Sequence, residues 1–147
     1  MSLELTTAEA RWLAEGFSIC PMSGHFVPAM MPVLCRPDGK HLAFRVEVRP
    51  EHCNGYSTAH GGFIATLADI WLAYNVIHLL PKTVRIVTAS LSVDYLAAAE
   101  AGDALESHID RVRIGARLCH ASGAILCSGH PVAAMRATFA VLEAKAG

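Results

Sequence analysis

The apolar stretch of residues 61–80 is the feature that most constrains the fold, because it predicts one long helix. Its apolar side chains recur at helical spacing, and Pro81 ends the pattern, since the residue before a proline is pushed out of the helical region. Two faces are mostly apolar: Phe63, Leu67, Ile70, Tyr74 and Ile77 on one, and Ile64, Ala68, Trp71 and Asn75 on the other. Such a helix is typical of a buried element. Asp69 is its one charged residue, and a charge there requires a partner or a function.

The same stretch approaches the roughly 20 apolar residues of a membrane-spanning helix. Against this alternative, Asp69 lies near its middle, where insertion of a charge costs about 2.5–3.5 kcal/mol. Tyr74, Asn75 and His78 add polar groups, and the N-terminal flank lacks basic anchors. We therefore expect a core helix wrapped by a sheet, and no membrane partner.

The composition is typical of one globular domain. The chain has 147 residues, of which 53% are hydrophobic, and this suits a single sizeable core. Its net charge is −1 and it has no basic run, which argues against nucleic acid as a partner. Five scattered cysteines without a CxxC pair indicate free thiols in a reducing compartment. The acidic N-terminus has no signal-peptide apolar region, so we expect a cytoplasmic protein.

The remaining sequence predicts one short helix and six strands. Residues 6–16 predict the helix, capped by Thr6 or Thr7, with Glu9 and Glu15 exposed. Alternating and β-branched patterns predict strands over residues 26–35, 41–48, 84–96, 104–114, 117–127 and 133–142. Loops or turns are expected over residues 17–25, 37–40, 50–59 and 128–131.

The order of these elements predicts an α+β fold in which an antiparallel sheet wraps around the long helix. No repeat, linker or low-complexity tract divides residues 1–147, so we expect one domain. Residues 1–24 are expected to be an N-terminal helix and loop, and residues 25–143 the core. Because so apolar a helix has more faces than one sheet covers, a second subunit is expected to complete its burial.

The loop and helix start before Asp69 carry groups suited to acyl chemistry. Gly61 and Gly62 place unobstructed N–H groups at a helix start, where the dipole favours negative charge. Such groups can bind a carbonyl oxygen that becomes an oxyanion, and Asn54 could donate its amide to the same oxygen. Asp69, two turns on and on the same face as Gly61, could be a general base or nucleophile. The structural alternative assigns the glycines to packing, Asn54 to a turn and Asp69 to hydrogen bonding.

The constellation Asn54, His60-Gly61-Gly62 and Asp69 resembles the hotdog-fold acyl-CoA thioesterases of the PaaI-like branch, in the 4-hydroxybenzoyl-CoA thioesterase superfamily. That family carries an Asn, an HGG tripeptide and an Asp on the central helix. Here the histidine follows Asn54 by six residues and Asp69 follows the histidine by nine. The strand plan also agrees, so the resemblance covers roughly residues 25–143. Many relatives have a glycine three residues after the Asn, and Ser57 occupies that position here.

The resemblance implies a role for each catalytic candidate. Asp69 would act as base for water or as nucleophile on the thioester carbon, and Thr88 would position water. The Gly61 N–H would bind the thioester carbonyl, and Asn54 would polarise it. His60 would orient neighbouring groups or the leaving thiolate. In this family the Asp and Thr come from one subunit and the Asn and Gly from the other, which implies a homodimer, or a homotetramer of two such dimers.

Other polar residues have two interpretations. Arg111, Arg113 and Arg117 flank a turn at Gly115, either as a solvated hairpin or as contacts for the phosphates of coenzyme A. We take Arg113 and Arg117, with Gly62, as the substrate-binding candidates.

A metal site or a cysteine nucleophile is not expected. His52, Cys53 and His60 match no standard zinc spacing. Cys53 and His52 are adjacent, and adjacent strand residues point to opposite faces.

The sequence thus predicts an acyl-CoA thioesterase that hydrolyses an acyl- or aryl-CoA thioester to the acid and coenzyme A without a cofactor. A catalytically silent hotdog protein that binds acyl-CoA or another apolar ligand is the alternative. A hydratase or dehydratase on the same fold is a third hypothesis, but its typical motifs, with a catalytic His, are not seen here.

Overall fold

One antiparallel sheet wraps around one long helix, as the sequence predicts. The computed structural model describes residues 4–142, so residues 1–3 and 143–147 of the expected domain lie outside the described part. The helices are α1 (Thr7–Ala14), α2 (Phe26–Met30) and α3 (Gly61–Leu79). The strands are β1 (Ser18–Ile19), β2 (Leu34–Asp38), β3 (His41–Glu47), β4 (Arg85–Tyr95), β5 (Ala104–Arg113), β6 (Leu118–Cys127) and β7 (His130–Leu142).

The sheet has seven strands in the order β1-β2-β3-β5-β6-β7-β4, and all neighbours pair antiparallel. The strand that follows α3 therefore crosses over to the far edge, where β4 pairs with β7 alone. Within residues 4–142, its eleven residues leave one long edge without a paired strand. Proteins usually cover or disrupt such an edge, because its unpaired N–H and C=O groups accept another strand.

Helix α3 fills the concave face of the sheet. Leu67, Ala68, Trp71 and Leu72 are completely buried, and they contribute to the main core with residues of β3, β5, β6 and β7. Asn75 is also completely buried, yet its amide is satisfied. Its Oδ1 accepts the N–H of Leu42 at 2.9 Å, and its Nδ2 donates to the Leu42 carbonyl at 3.2 Å. This pair of bonds fixes the rotation of α3 against β3, and thereby the direction of Asp69.

The length and composition of α3 would suit a membrane span, but half of its apolar window is buried inside the protein. This is the behaviour of a core helix. The C-terminal end is less covered, since Ile77 and Leu79 are each 41% exposed. Apolar surface on a central helix that one chain leaves open favours contact with another copy.

The predicted strand over residues 26–35 was wrong in its first half. Phe26–Met30 forms α2, and the strand begins only at Leu34. Pro28 is tolerated there because the first-turn N–H groups of a helix have no internal partner. At the other end of the sheet, β7 begins at His130, within the residues that were expected to form a turn.

Glu9 was expected to be exposed, and this was wrong. Helix α1 is capped by Thr6, but the Glu9 side chain is completely buried and pairs with Arg49 at 2.7 Å. Glu9 also accepts the Thr6 N–H at 2.8 Å and so forms the capping box. The partner that draws this carboxylate inward lies 40 residues away, beyond the reach of a local pattern.

The five cysteines are free thiols, as the sequence indicated. Cys20 lies beside Cys35, and burial together with that neighbouring thiol raises the pKa of Cys20 to about 12. Cys20 is therefore protonated near neutral pH and is a poor nucleophile there.

Candidate active site

The central feature of the site is a hydrogen bond between Thr88 and Asp69. Thr88 Oγ1 donates to Asp69 Oδ1 at 2.6 Å and links β4 to α3. Both residues line a cavity of about 310 Å³. No Lys, Arg or His nitrogen in the described range 4–142 lies within 4 Å of this carboxylate. A hydroxyl therefore orients the Asp69 carboxylate, and no basic side chain among residues 4–142 forms an ion pair with it.

A β-bulge explains how β4 presents Thr88. The pairing of β4 with β7 shifts register between Thr88 and Ser90, so Ala89 is an extra residue. Bulges redirect side chains and occur often beside active sites. Ile86 packs on the core and Thr88 faces α3, and beyond the bulge Leu91 and Val93 return to the core side.

The loop before α3 is held by Asn54. Its Oδ1 accepts the N–H groups of Tyr56 at 2.9 Å and Thr58 at 3.3 Å, as well as the Thr58 hydroxyl at 3.2 Å. The amide Nδ2 has no acceptor among residues 4–142, so it remains able to donate. Ser57 has a φ of 61°, in the left-handed region that favours glycine.

His60 is the N-cap of α3. Its Nδ1 accepts the Gly62 N–H at 2.8 Å, which removes that N–H from the donors open to a substrate. The Gly61 N–H has no acceptor within the described chain. The sequence predicts that Gly61 and Gly62 both offer an N–H group to a substrate. Of these two groups, only the Gly61 N–H has no acceptor within residues 4–142.

Tyr95 was not proposed from the sequence. Its hydroxyl donates to the Gly61 carbonyl at 2.7 Å, and a Cβ at Gly61 would lie 3.4 Å from the ring. Tyr95 thus ties Gly61, the residue that carries the open N–H, to the end of β4. Only the position of Tyr95 at the end of an alternating strand could have suggested this, since the two residues are 34 apart.

Asp69 and the Gly61 N–H do not meet within one chain. Eight residues of helix separate them by about 12 Å along the axis. A nucleophile or base and an oxyanion donor must both come within about 3 Å of the same reacting group. Sharing a helix face therefore does not suffice.

Two adjoining cavities lie beside these groups within one chain. One of about 310 Å³ contains Asp69 and Thr88, and one of about 320 Å³ contains His60 and Gly62. Phe26 and Thr66 line both cavities. Phe26 is 68% exposed, and with Val27 and Met30 of α2 it supplies apolar contacts beside the polar groups. The mistaken strand prediction concealed this contribution of α2.

His52 has a structural role. Its Nδ1 accepts the Arg49 N–H at 3.0 Å, and its Nε2 bonds to the Met30 carbonyl at 2.9 Å. The ring stacks on Phe63 with centroids 4.1 Å apart. With both nitrogens occupied, His52 is not available as a metal ligand.

Arg113 and Arg117 lie at the β5–β6 connection, and both are exposed. Neither forms an ion pair with residues 4–142. A Cβ at Gly115 would lie 2.3 Å from the Leu118 carbonyl oxygen, so only glycine fits this close approach. Arg113 pairs in register with His120 on the sheet face away from α3, so it is not part of the Asp69 cavity.

Comparison with known proteins shows which family this chain belongs to. Residues 48–140 match the sequence family described as the acyl-CoA thioesterase N-terminal domain. A provisionally assigned esterase of Pseudomonas aeruginosa, PA0474, is 32% identical over 126 residues, which are 85% of this chain and 94% of that protein.

Two solved structures share the fold. The phenylacetic acid degradation protein PaaI of Thermus thermophilus, solved as a mutant, has a TM-score of 0.66 and 28% identity, covering 76% of this chain and 93% of its own. A hypothetical thioesterase of Streptococcus pneumoniae, solved with coenzyme A, has a TM-score of 0.65 and 28% identity, covering 72% and 81%. The long helix, the antiparallel sheet and these matches together place this chain in the hotdog-fold acyl-CoA thioesterase family, as a thioester hydrolase of the PaaI-like kind.

Proposed function

We propose that this protein hydrolyses an acyl- or aryl-CoA thioester, with Asp69 as the reacting carboxylate and with each active site built from two copies of the chain. The single observation that carries the proposal is the Thr88–Asp69 hydrogen bond at the wall of a cavity with apolar neighbours. An unpaired, oriented carboxylate is the group needed to activate water or to attack a thioester carbon.

Thr88 has a second use in this scheme. Its hydroxyl hydrogen is committed to Asp69, but its oxygen still has lone pairs. A water bound between Thr88 Oγ1 and the second Asp69 oxygen would donate a hydrogen to each. Its own lone pair would then be directed away from both, towards a thioester carbon. In the nucleophile variant of the mechanism, the Thr88 bond orients the carboxylate itself.

The carbonyl oxygen needs donors that this chain cannot bring to its own Asp69. The open Gly61 N–H, at the positive end of the α3 dipole, and the free Asn54 amide hydrogens suit a developing oxyanion. Because about 12 Å of helix separates Gly61 from Asp69, we assign the two halves to different subunits. The unpaired β4 edge and the exposed end of α3 favour such pairing, and support at least a homodimer; two dimers could form a homotetramer.

The acyl group is proposed to lie against α2. Phe26 and Val27 face the Asp69 cavity, and Met30 the adjoining one. Arg113 and Arg117 are proposed to contact the phosphates of coenzyme A bound to the partner's half of the site, since guanidinium groups suit phosphate oxygens.

A thiol-release assay over a panel of aryl- and fatty acyl-CoAs tests the proposal. We expect free coenzyme A to be released in a reaction that depends on enzyme concentration and needs no added metal or cofactor. Absence of release above background for every member of the panel would contradict it. Calorimetric binding of the same acyl-CoAs without turnover would then favour the catalytically silent alternative.

A further inference from the structure

The outer face of the sheet, opposite α3, carries a polar cavity that the proposed thioester site does not use. Its volume is about 360 Å³. Its polar lining includes Ser92, Ser122, Thr138, His120, Arg111 and Arg136. Asp69 lies against the other face, so the sheet separates this cavity from the proposed nucleophile or base.

The strand register explains this grouping. Ser92 pairs with Arg136, Arg136 with Ser122, and Ser122 with Arg111, so one row crosses β4, β7, β6 and β5. The intervening residues, such as Ala121, are buried against the core. The two arginines are two strands apart, about 10 Å at the backbone. Long side chains on either side of Ser122 can thus reach one ligand above it.

The charge of the cavity is unbalanced. No carboxylate among residues 4–142 lies within 4 Å of the Arg111 or Arg136 guanidinium. Asp94 lies two residues beyond Ser92 on the same strand. Asp110, the residue before Arg111, contacts His108 at 3.2 Å. In a chain of net charge −1, two arginines that share a cavity without an acidic partner favour an anion between them.

The remaining lining supplies further groups that can form hydrogen bonds. His120 Nδ1 and Thr138 Oγ1 share a hydrogen bond of 3.0 Å, and His120 Nε2 has no partner among residues 4–142. Ser92 and Ser122 add hydroxyl groups that can donate to an oxyanion.

We propose that this cavity binds a phosphoryl group, either as inorganic phosphate or as a small phosphate monoester, at a site separate from the thioester. Planar guanidinium groups match the tetrahedral oxygens of phosphate, and the hydroxyls complete the shell. The volume is near the lower end of the roughly 300–1,000 Å³ of small-molecule sites, which leaves room for an organic group beside the phosphate.

The test is calorimetric titration of the full chain with inorganic phosphate and, separately, with AMP. The variant Arg111→Ala/Arg136→Ala removes both guanidinium groups. Arg11→Ala/Lys40→Ala is the matched control, because it removes two exposed positive charges elsewhere. Ser122→Asp keeps both arginines but places a carboxylate between them, and Asp94→Asn removes a neighbouring negative charge.

We expect wild type and control to bind, the double variant to lose at least about tenfold in affinity, and Ser122→Asp to lose binding. Asp94→Asn should bind more tightly. Equal affinity for phosphate and AMP identifies the inorganic ion as sufficient, and a preference for AMP identifies a monoester; both support the site. No binding by wild type, or unchanged binding by the double variant, overturns it.

A kinetic arm tests the separation from the thioester. The double variant should leave the KM values for acyl-CoA and for an acyl-pantetheine thioester unchanged. A KM that rises for acyl-CoA alone would show that the cavity contacts coenzyme A. This result would overturn the proposal that the phosphate site is separate from the thioester site. Phosphate binding is measured without turnover. The phosphate site can therefore be disproved while thioester hydrolysis is confirmed, and thioester hydrolysis can be disproved while the phosphate site is confirmed.

Discussion

Thr88 and Asp69, on a sheet-edge strand and the central helix respectively, are joined by a 2.6 Å hydrogen bond in which the hydroxyl donates to the carboxylate. Bonds to charged groups are worth about 1.5–3 kcal/mol, so losing this one should misalign Asp69. We predict that Thr88→Val lowers kcat by about 10- to 100-fold with little change in KM, and that Thr88→Ser retains most activity. Equal activity of the Val and Ser variants would show that the hydroxyl has no part in turnover.

Asp69→Asn should lower kcat by on the order of 10²–10⁴-fold, the range for a positioned acid–base group. Asn is nearly isosteric, so the fold should survive and the loss should appear in turnover more than in binding. Melting temperature and kcat are to be measured on one preparation, with Asp38→Asn at the exposed end of β2 as the control. A lower melting temperature with normal turnover per folded molecule would make Asp69 a structural residue.

Mixing two inactive variants tests whether the site is shared between chains. Asp69→Asn and Asn54→Ala should each be inactive as homodimers, whereas a mixed dimer contains one site with both changes and one intact site. Random pairing then restores about a quarter of wild-type activity. Subunit exchange must be verified by sedimentation or mass measurement. If exchange occurs without recovery, Asn54 and Asp69 do not act across an interface.

Arg113→Ala/Arg117→Ala should raise KM for acyl-CoA, because two phosphate contacts are lost. An acyl-pantetheine thioester, which lacks the nucleotide, should show the same KM with wild type and variant. An unaltered KM for acyl-CoA would show that Arg113 and Arg117 belong to a solvated turn and do not contact coenzyme A. Arg11→Ala/Lys40→Ala controls for the change in net charge.

The buried Glu9–Arg49 pair should stabilise the attachment of α1 to the sheet. Glu9 is completely buried and the Arg49 side chain is 11% exposed. Removing one partner leaves an uncompensated buried charge, so Arg49→Met should lower the free energy of unfolding by about 3–5 kcal/mol in urea denaturation. Arg11→Met, which breaks the exposed Arg11–Glu15 pair, should cost no more than about 1 kcal/mol. Equal losses of unfolding free energy in the two variants would show that the buried Glu9–Arg49 pair contributes no more than the exposed Arg11–Glu15 pair.

The elements with a local residue pattern could be predicted from the sequence. The apolar periodicity and Pro81 delimit α3 within one residue of its observed end, and alternation locates the strands after it. The HGG tripeptide and Asp69 locate the candidate groups through a family resemblance that can be recognised along the chain, without knowledge of which groups meet.

Which groups meet in space depends on the folding of the whole chain. The burial of Glu9, the bond from Tyr95 to Gly61 and the row from Ser92 to Arg111 depend on residues far apart in the chain, which sheet order and register bring together. Local patterns also could not show that His60 Nδ1 accepts a hydrogen bond from the Gly62 N–H, or that Phe26–Met30 is helical. The first outcome depends on the conformation of the His60 side chain, and the second on how α2 packs beside the site, and a residue pattern specifies neither.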